Sequence, residues 1–142
     1  MRWSGFCLAL IVAGMTAAAT PAASPPQLAT AISTGDQFWA AGNLDGAEQA
    51  FADAFRANPT SVEAGMKLAG IRLSRQEYAD AIETYQRVIG IGAPNAKAWI
   101  GMGLALLHTG KPELARAAFE EAVRIEPARK NELDLLIAKI AR

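Results

Sequence analysis

The sequence predicts an all-α protein, a solenoid of three stacked helix hairpins with a C-terminal capping helix. The first observation behind this prediction is that small and aromatic residues recur every 34 residues. The recurring sets are Gly35, Ala69 and Gly103; Ala47, Ala81 and Ala115; Phe51, Tyr85 and Phe119; and Ala54, Val88 and Ala122. This period is typical of helix–turn–helix arrays. The second observation is an alanine-rich composition with few β-branched residues, which favours helix.

The period divides the chain into three units and a tail. The units are residues 28–61, 62–95 and 96–129, and the tail is residues 130–142. The small residues should let the two helices of one hairpin approach closely, and we expect the aromatic set to fill the space between one hairpin and the next. The tail has apolar residues at helical spacing on one face and charges on the other, so we expect an amphipathic helix that covers the third unit. A partner-docking helix is the alternative.

Glycine, proline and capping residues mark the expected helix ends. In the third unit, Gly110 suits the left-handed position at a helix C-terminus, and Pro112 suits the first turn of the next helix. These residues predict one helix from about 96 to 109 and a second from 112 to about 126. We expect Thr60 or Ser61 to cap the first helix of the second unit, and Asn95 to cap that of the third.

The N-terminal residues have the layout of a secretory signal peptide. Arg2 precedes an apolar run at Gly5–Val12, and Ala17–Ala19 offers a cleavage site. We therefore expect residues 1–19 to be a signal peptide and the proline-rich residues 20–27 to be an extended linker. The alternative is an uncleaved membrane anchor.

Export predicts a periplasmic or secreted bacterial protein, or one anchored to the inner membrane if the segment stays. Cys7 is the single cysteine of the chain and lies within the predicted signal peptide. After cleavage, the mature chain would hold no disulfide, no thiol nucleophile and no Cys-based metal site.

These residues resemble the tetratricopeptide repeat family. In the third unit, the family's signature positions are occupied by Trp99, Gly103, Ala115, Phe119, Ala122 and Pro127. The second unit departs from the pattern, with Gly65 at the tryptophan position, Arg72 at an aromatic or apolar position, and Pro94 one residue late. The resemblance implies a right-handed solenoid whose concave groove, lined by the first helix of each repeat, holds a protein partner.

The family's groove positions can be carried over by register. They are Ile32, Asp36, Trp39, Glu63, Met66, Gly70, Leu73, Lys97, Ile100, Leu104, Leu107 and His108. Some family members clamp a peptide's C-terminal carboxylate with Lys, Arg and Asn in this groove, but the matching positions here are mostly apolar. The resemblance therefore implies an amphipathic helix or an apolar peptide as ligand, with Trp39 as the anchor. Internal packing is the alternative, and Trp39 in particular could contact the linker at Pro25–Pro26.

The remaining features predict no catalysis and no cofactor. Lys and Arg total 14, as do Asp and Glu, so the formal net charge of zero gives no reason to expect nucleic acid as partner. His108 is the single histidine, and one histidine makes a poor metal site. There is no nucleophile motif or phosphate-binding loop. We therefore expect a non-enzymatic adaptor at the cell envelope. The alternatives are a structural subunit held in the membrane by its N-terminal helix, and a self-assembling protein.

Overall fold

The computed structural model describes residues 24–140, and within them the chain is entirely helical. The predicted signal peptide, with Cys7, and residues 20–23 of the predicted linker lie outside the described residues. The helices are α1 (Pro25–Ala40), α2 (Leu44–Ala57), α3 (Val62–Ser74), α4 (Tyr78–Gly90), α5 (Ala96–His108), α6 (Pro112–Ile125) and α7 (Lys130–Ile140). A short 3₁₀ turn at Pro127–Arg129 joins α6 to α7. Helices α1 and α2, α3 and α4, and α5 and α6 form three hairpins, which stack through α2 on α3 and α4 on α5. The predicted all-α solenoid is confirmed.

The turns inside the three hairpins share one left-handed residue at the same register position. Gly42, Gln76 and Gly110 have φ angles of 74°, 65° and 71°. Glycine adopts this region without steric cost, whereas a residue with a Cβ does not. The prediction for Gly110 is confirmed, and the middle repeat achieves the same turn with glutamine.

Two predicted helix caps form. The Ala64 N–H donates to the Ser61 hydroxyl oxygen at 3.2 Å, and the Ala98 N–H donates to the Asn95 side-chain oxygen at 3.1 Å. Each cap satisfies a backbone donor that lacks an intrahelical partner. The choice between Thr60 and Ser61 is thereby settled for Ser61.

The first helix begins earlier than predicted. Residues 25–27 were predicted to be part of an extended linker, but they form the first turn of α1. Proline is compatible with the first turn because the N–H that it lacks would have no partner there, and its φ angle already suits a helix. Ser24 precedes the helix in a capping box with Gln27, whose side-chain oxygen accepts from the Ser24 N–H at 3.2 Å.

The recurring aromatic rings do not all lie where they were expected. A Cβ placed on Gly35 would come within 2.4 Å of the Phe51 ring, and one on Gly103 within 2.6 Å of the Phe119 ring. Both contacts join the two helices of one hairpin, so these rings do not lie only between hairpins as predicted. The glycine removes the side chain that would otherwise keep the ring out. Phe51 also reaches the next hairpin, since the Lys67 Nζ lies 5.7 Å from the centroid of its ring. Tyr85 behaves as expected, since it meets Gly101 of the next hairpin.

The tail packs against α6 as helix α7. Leu133 on its inner face is fully buried, while Leu135 on the other side is 69% exposed. The outer surface also carries charged residues, so this end of the stack presents a polar face to solvent.

Candidate partner-binding groove

The first helices of the three hairpins supply the candidate groove. Helix α3 contacts α5, and α1, α3 and α5 carry the predicted positions in rows that repeat every 34 residues. The predicted residues that are exposed are Asp36, Trp39, Glu63, Lys97 and His108, and those half-buried are Met66, Gly70, Leu73, Ile100, Leu104 and Leu107. We call the row Trp39, Leu73 and Leu107, one residue from each hairpin, the apolar row.

Ile32 is a correction to the predicted groove. It is only 6% exposed and belongs to the hydrophobic core. Burying an isoleucine is worth on the order of 2–3 kcal/mol, so a β-branched apolar side chain that can reach the core gains more there than on an open surface. Its register equivalents, Met66 and Ile100, remain partly accessible.

Trp39 lies across the space between the first two hairpins. Its ring meets Phe51 edge-on, with centroids 6.3 Å apart and planes at 66°. A Cβ placed on Gly70 would be 4.0 Å from the indole Cη2 atom, so the small residue at 70 leaves room beside the ring. Even so, 41% of Trp39 is exposed. Contact with Pro25–Pro26 is wrong, because these prolines lie at the opposite end of α1, about 20 Å away along the helix.

The carboxylate of Asp36 in the groove has a cationic partner. The Lys67 Nζ lies 2.6 Å from the Asp36 oxygen and 5.7 Å from the centroid of the Phe51 ring. Sequence reasoning missed Lys67 because its register position is not one of the family's groove positions. Both side chains are partly exposed, so the pair adds little stability. Its effect is to cancel the charge of Asp36 beside the apolar row.

The other end of the groove carries a stacked aromatic pair. The rings of Tyr78 and His108 are parallel within 2°, with centroids 4.6 Å apart. Tyr78 begins α4, where the equivalent residues are Leu44 in α2 and Pro112 in α6. Because this position varies between repeats, the period gave no signal for an aromatic residue there.

Outside the groove, an apolar pocket of about 400 Å³ lies between α4, α5 and α6. Its apolar walls include Trp99, Met102, Leu106 and Leu114. The equivalent position in the middle repeat carries a charge, because Arg72 stands where the third repeat has Leu106. Arg72 donates from its Nε to Glu48 at 3.1 Å and from its Nη1 to the Thr84 hydroxyl at 2.8 Å.

The described residues offer little for chemistry. Between residues 24 and 140, His, Cys, Asp and Glu side chains do not gather in groups of three or more that could hold a metal ion. None of the helices in this range is both long and apolar enough to cross a bilayer. What the arrangement provides is a largely apolar surface to which each hairpin contributes one residue of the apolar row.

Comparisons with known proteins match this architecture. Two family models, each described as tetratricopeptide repeat, match residues 33–96 and 72–140. The chain is 28% identical over 100 residues to the protein CTR9 homolog of Arabidopsis thaliana, covering 69% of this chain and 9% of that protein. It is 36% identical over 62 residues to the probable UDP-N-acetylglucosamine–peptide N-acetylglucosaminyltransferase SPINDLY of Hordeum vulgare, covering 44% of this chain and 7% of that protein. The chain thus spans less than a tenth of either relative.

Solved structures share the fold at low identity. The first TPR of Spaghetti (RPAP3), bound to an HSP90 peptide, has a TM-score of 0.78 at 18% identity, covering 84% of this chain and 94% of that one. The Yersinia enterocolitica type III secretion translocator chaperone SycD has a TM-score of 0.75 at 16% identity, covering 83% and 94%. The repeat period, the left-handed hairpin turns, the two family models and these structures agree, and the chain belongs to the tetratricopeptide repeat family.

Proposed function

We propose that this protein is a non-enzymatic adaptor that holds an apolar peptide stretch or an amphipathic helix of a protein partner in its concave groove. The observation that carries the proposal is the apolar row, in which Trp39, Leu73 and Leu107 repeat at one register position and stay partly accessible. Trp39 is the natural anchor, since a large aromatic ring buries much area at low entropic cost.

The charges of the groove favour an apolar ligand over an acidic one. Two similar solved structures contain the HSP90 peptide SRMEEVD and the HSP70 peptide SGPTIEEVD, both acidic near the C-terminus. A ligand of that kind needs cations. Here Lys67 is paired with Asp36, which leaves Lys97 as the exposed lysine of the groove. The positions that would supply a carboxylate clamp hold residues such as Met66, Ile100 and Leu104 instead.

Crosslinking in the native cells tests the groove. A tagged full-length chain is crosslinked, and the captured proteins are identified by mass spectrometry. We expect one recurrent partner that is lost in the double variant Trp39→Ala/Leu107→Ala. The matched control is Leu114→Ala/Leu135→Ala, which removes two exposed apolar side chains outside the groove and should retain the partner.

Circular dichroism of both variants separates binding from folding. The Trp39→Ala/Leu107→Ala variant should keep wild-type helicity, because both side chains are partly accessible. If this variant melts instead, the two residues are core and the groove assignment is wrong. Retention of the partner by a folded Trp39→Ala/Leu107→Ala variant would place the binding surface elsewhere.

We further propose that the adaptor works outside the cytoplasm of a bacterium, in the periplasm or on the outer face of the inner membrane. The support is the signal-like layout of residues 1–19 and the absence of cysteine after Cys7. N-terminal sequencing of the protein from fractionated cells tests this proposal. A periplasmic protein that begins after residue 19 supports a free adaptor, and an intact N-terminus in the membrane fraction supports an anchored subunit. A cytoplasmic protein would overturn export.

A further inference from the structure

The outer face of α1, at the first end of the stack, lacks the cover that its equivalents have. We call this surface the α1 end face; it is formed by Gln27, Thr30, Ala31, Thr34 and Phe38. In the second hairpin, the residues equivalent to Ala31 and Phe38 are Gly65 and Arg72, and α2 covers both of them. A Cβ on Gly65 would be 3.0 Å from Phe55 of α2, and Arg72 pairs with Glu48 of α2.

Among the helices of residues 24–140, none plays the part of α2 at this end. Ala31 is only half-buried, and Phe38 is 38% exposed. A shallow pocket lined by Pro26, Gln27, Thr30 and Ala31 opens on the same face. This face therefore holds register positions that a neighbouring hairpin covers in the second hairpin, yet it stays accessible here, even though Phe38 packs in part against Gly46 of α2.

The chemistry of the α1 end face suits burial. The sole ionisable side chain of α1 is Asp36, which pairs with Lys67 on the groove side. The Thr30 hydroxyl donates to the Pro26 carbonyl oxygen, and the Thr34 hydroxyl donates to that of Thr30, each at 2.9 Å. Because these hydroxyls already have partners inside the helix, a contacting surface could cover them without leaving an unsatisfied donor.

The opposite end of the stack is built differently. Helix α7 carries Lys130, Glu132, Asp134 and Lys139, so it has the polar outer face that a terminal cap of a repeat array needs for solubility. The contrast shows that α1 is not a cap of that kind.

We propose that a second copy of this chain covers the α1 end face, with α1 packed against α1 across a two-fold axis. A two-fold interface brings the same surface of both copies together, so a charged face would oppose like charges, whereas a face without charges avoids that repulsion. The helix is 16 residues, or about 24 Å, long. One helix pair buries an area at the low end of specific interfaces, so the dimer should be weak and depend on concentration.

Sedimentation equilibrium of the purified protein tests the dimer. Between about 1 and 200 µM, the range expected for an interface of this size, the wild-type mass should double. Thr30→Lys/Thr34→Lys should stay monomeric, because it places four cations in the interface. The matched control adds the same charge to α7 as Leu135→Lys/Ala138→Lys and should dimerise like the wild type. Circular dichroism must show equal helicity in all three.

A charge-swap mixture provides the positive result. An equimolar mixture of Thr30→Lys/Thr34→Lys with Thr30→Glu/Thr34→Glu should regain the doubled mass, because opposite charges then meet across the axis. Three outcomes would overturn the proposal. They are a wild-type monomer at every concentration, as expected if residues before Ser24 cover the face or nothing does; a dimer that survives the α1 lysines; and a dimer that the α7 lysines abolish. Loss of the groove partner in cells would leave these results unchanged.

Discussion

The two junctions between hairpins use the same register but different chemistry. At the first junction, the buried Phe55 ring of α2 lies beside Gly65 of α3, and ion pairs add to this contact. Glu48 lies 3.1 Å from Arg72 and 3.3 Å from Arg75, and Asp45 also pairs with Arg75. At the second junction, α4 meets α5 through apolar contacts, with the Tyr85 ring against Gly101. The residues equivalent to Asp45, Glu48 and Arg72 are there Ala79, Ile82 and Leu106.

This difference shows that the repeat specifies the shape of the stack and not one kind of contact between hairpins. A partly exposed ion pair contributes about 0–1 kcal/mol, whereas burying an apolar side chain such as Leu106 at the equivalent position contributes about 1.5–3 kcal/mol. In a repeat protein, stability is approximately the sum of units and interfaces between neighbours. We therefore expect the second junction to hold more strongly, and the first hairpin to separate before the third.

The largest expected effect comes from the ring at the second junction. Tyr85→Ala should lower the free energy of unfolding by about 3–5 kcal/mol, because it leaves a cavity where the ring meets Gly101. Urea denaturation measures the loss. Tyr85→Phe keeps the ring and serves as the control. A cost below about 1 kcal/mol for Tyr85→Ala would contradict the apolar account of this junction.

Exchanging the two junction residues tests the comparison directly. Leu106→Arg should cost about 3 kcal/mol, because the guanidinium would be partly buried where Ala79 and Ile82 replace the acidic residues of the first junction. The reverse change, Arg72→Leu, should stay within about 1 kcal/mol of the wild type, since Glu48 keeps Arg75 as a partner.

Thermal or urea unfolding of both exchange variants gives the answer. Arg72→Leu does not leave the Thr84 hydroxyl without a hydrogen bond, because this hydroxyl still donates to the Asp80 carbonyl oxygen at 2.7 Å. Equal costs for the two exchanges would mean that the junctions tolerate charge alike, and the contrast between them would fail.

Alkaline pH should weaken the second junction through the same tyrosine. Burial raises the pKa of Tyr85 above its ordinary value of 10.0, because the interior disfavours the phenolate. The folded state then holds the proton more tightly than the unfolded state. The stability that comes from burying the neutral phenol is complete below pH 10. It is lost as the pH rises toward the folded pKa, at up to about 1.4 kcal/mol per pH unit. The fall measured above pH 10 should be shallower in Tyr85→Phe than in the wild type, and identical slopes would contradict this assignment.

The turn of the middle hairpin lies beside the first junction and offers a smaller, stabilising change. Gln76 has a φ angle of 65° where Gly42 and Gly110 serve the other hairpins. Gln76→Gly should raise the free energy of unfolding by about 0.5–1 kcal/mol, since glycine adopts this conformation without a Cβ clash. The matched change Gly110→Ala should cost a similar amount, and a Cβ there meets no atom within 4 Å, so strain alone is tested. A loss of stability in Gln76→Gly would show that the side chain holds the junction.

Much of the fold could be predicted because the features that set it are local and periodic. Gly110 and Pro112 mark a turn and a helix start by backbone geometry alone, and Asn95 and Ser61 mark caps by side-chain chemistry. The start of α1 was misjudged because a proline pair is compatible with either a linker or a first helical turn.

The site was predicted less completely because a repeat period gives the register of a residue but not the direction in which its side chain points. Spacing identified Phe51 as a packing residue, yet it could not show that Gly35 of the same hairpin receives the ring. Ile32 shares its register with accessible residues and still turns into the core. The pairs Asp36–Lys67 and Tyr78–His108 join positions that vary between repeats, so only coordinates reveal them.

The smallest expected effect concerns an ion pair that is present in the structure but should contribute little to stability. Asp45 pairs with Arg75, but its side chain is 86% exposed, so water and salt already screen most of the attraction. A double-mutant cycle with Asp45→Asn and Arg75→Gln should give a coupling energy below about 0.5 kcal/mol, and about zero in 1 M salt. The separate interaction of Asp45 with the N-terminus of α2 cancels in the cycle, so the coupling energy reports the pair alone. A coupling above about 1 kcal/mol that survives salt would mean that surface charge holds the first junction. The expected weak coupling would mean that α2 and α3 are held together mainly by Phe55 beside Gly65 and by the less exposed pair of Arg72 with Glu48.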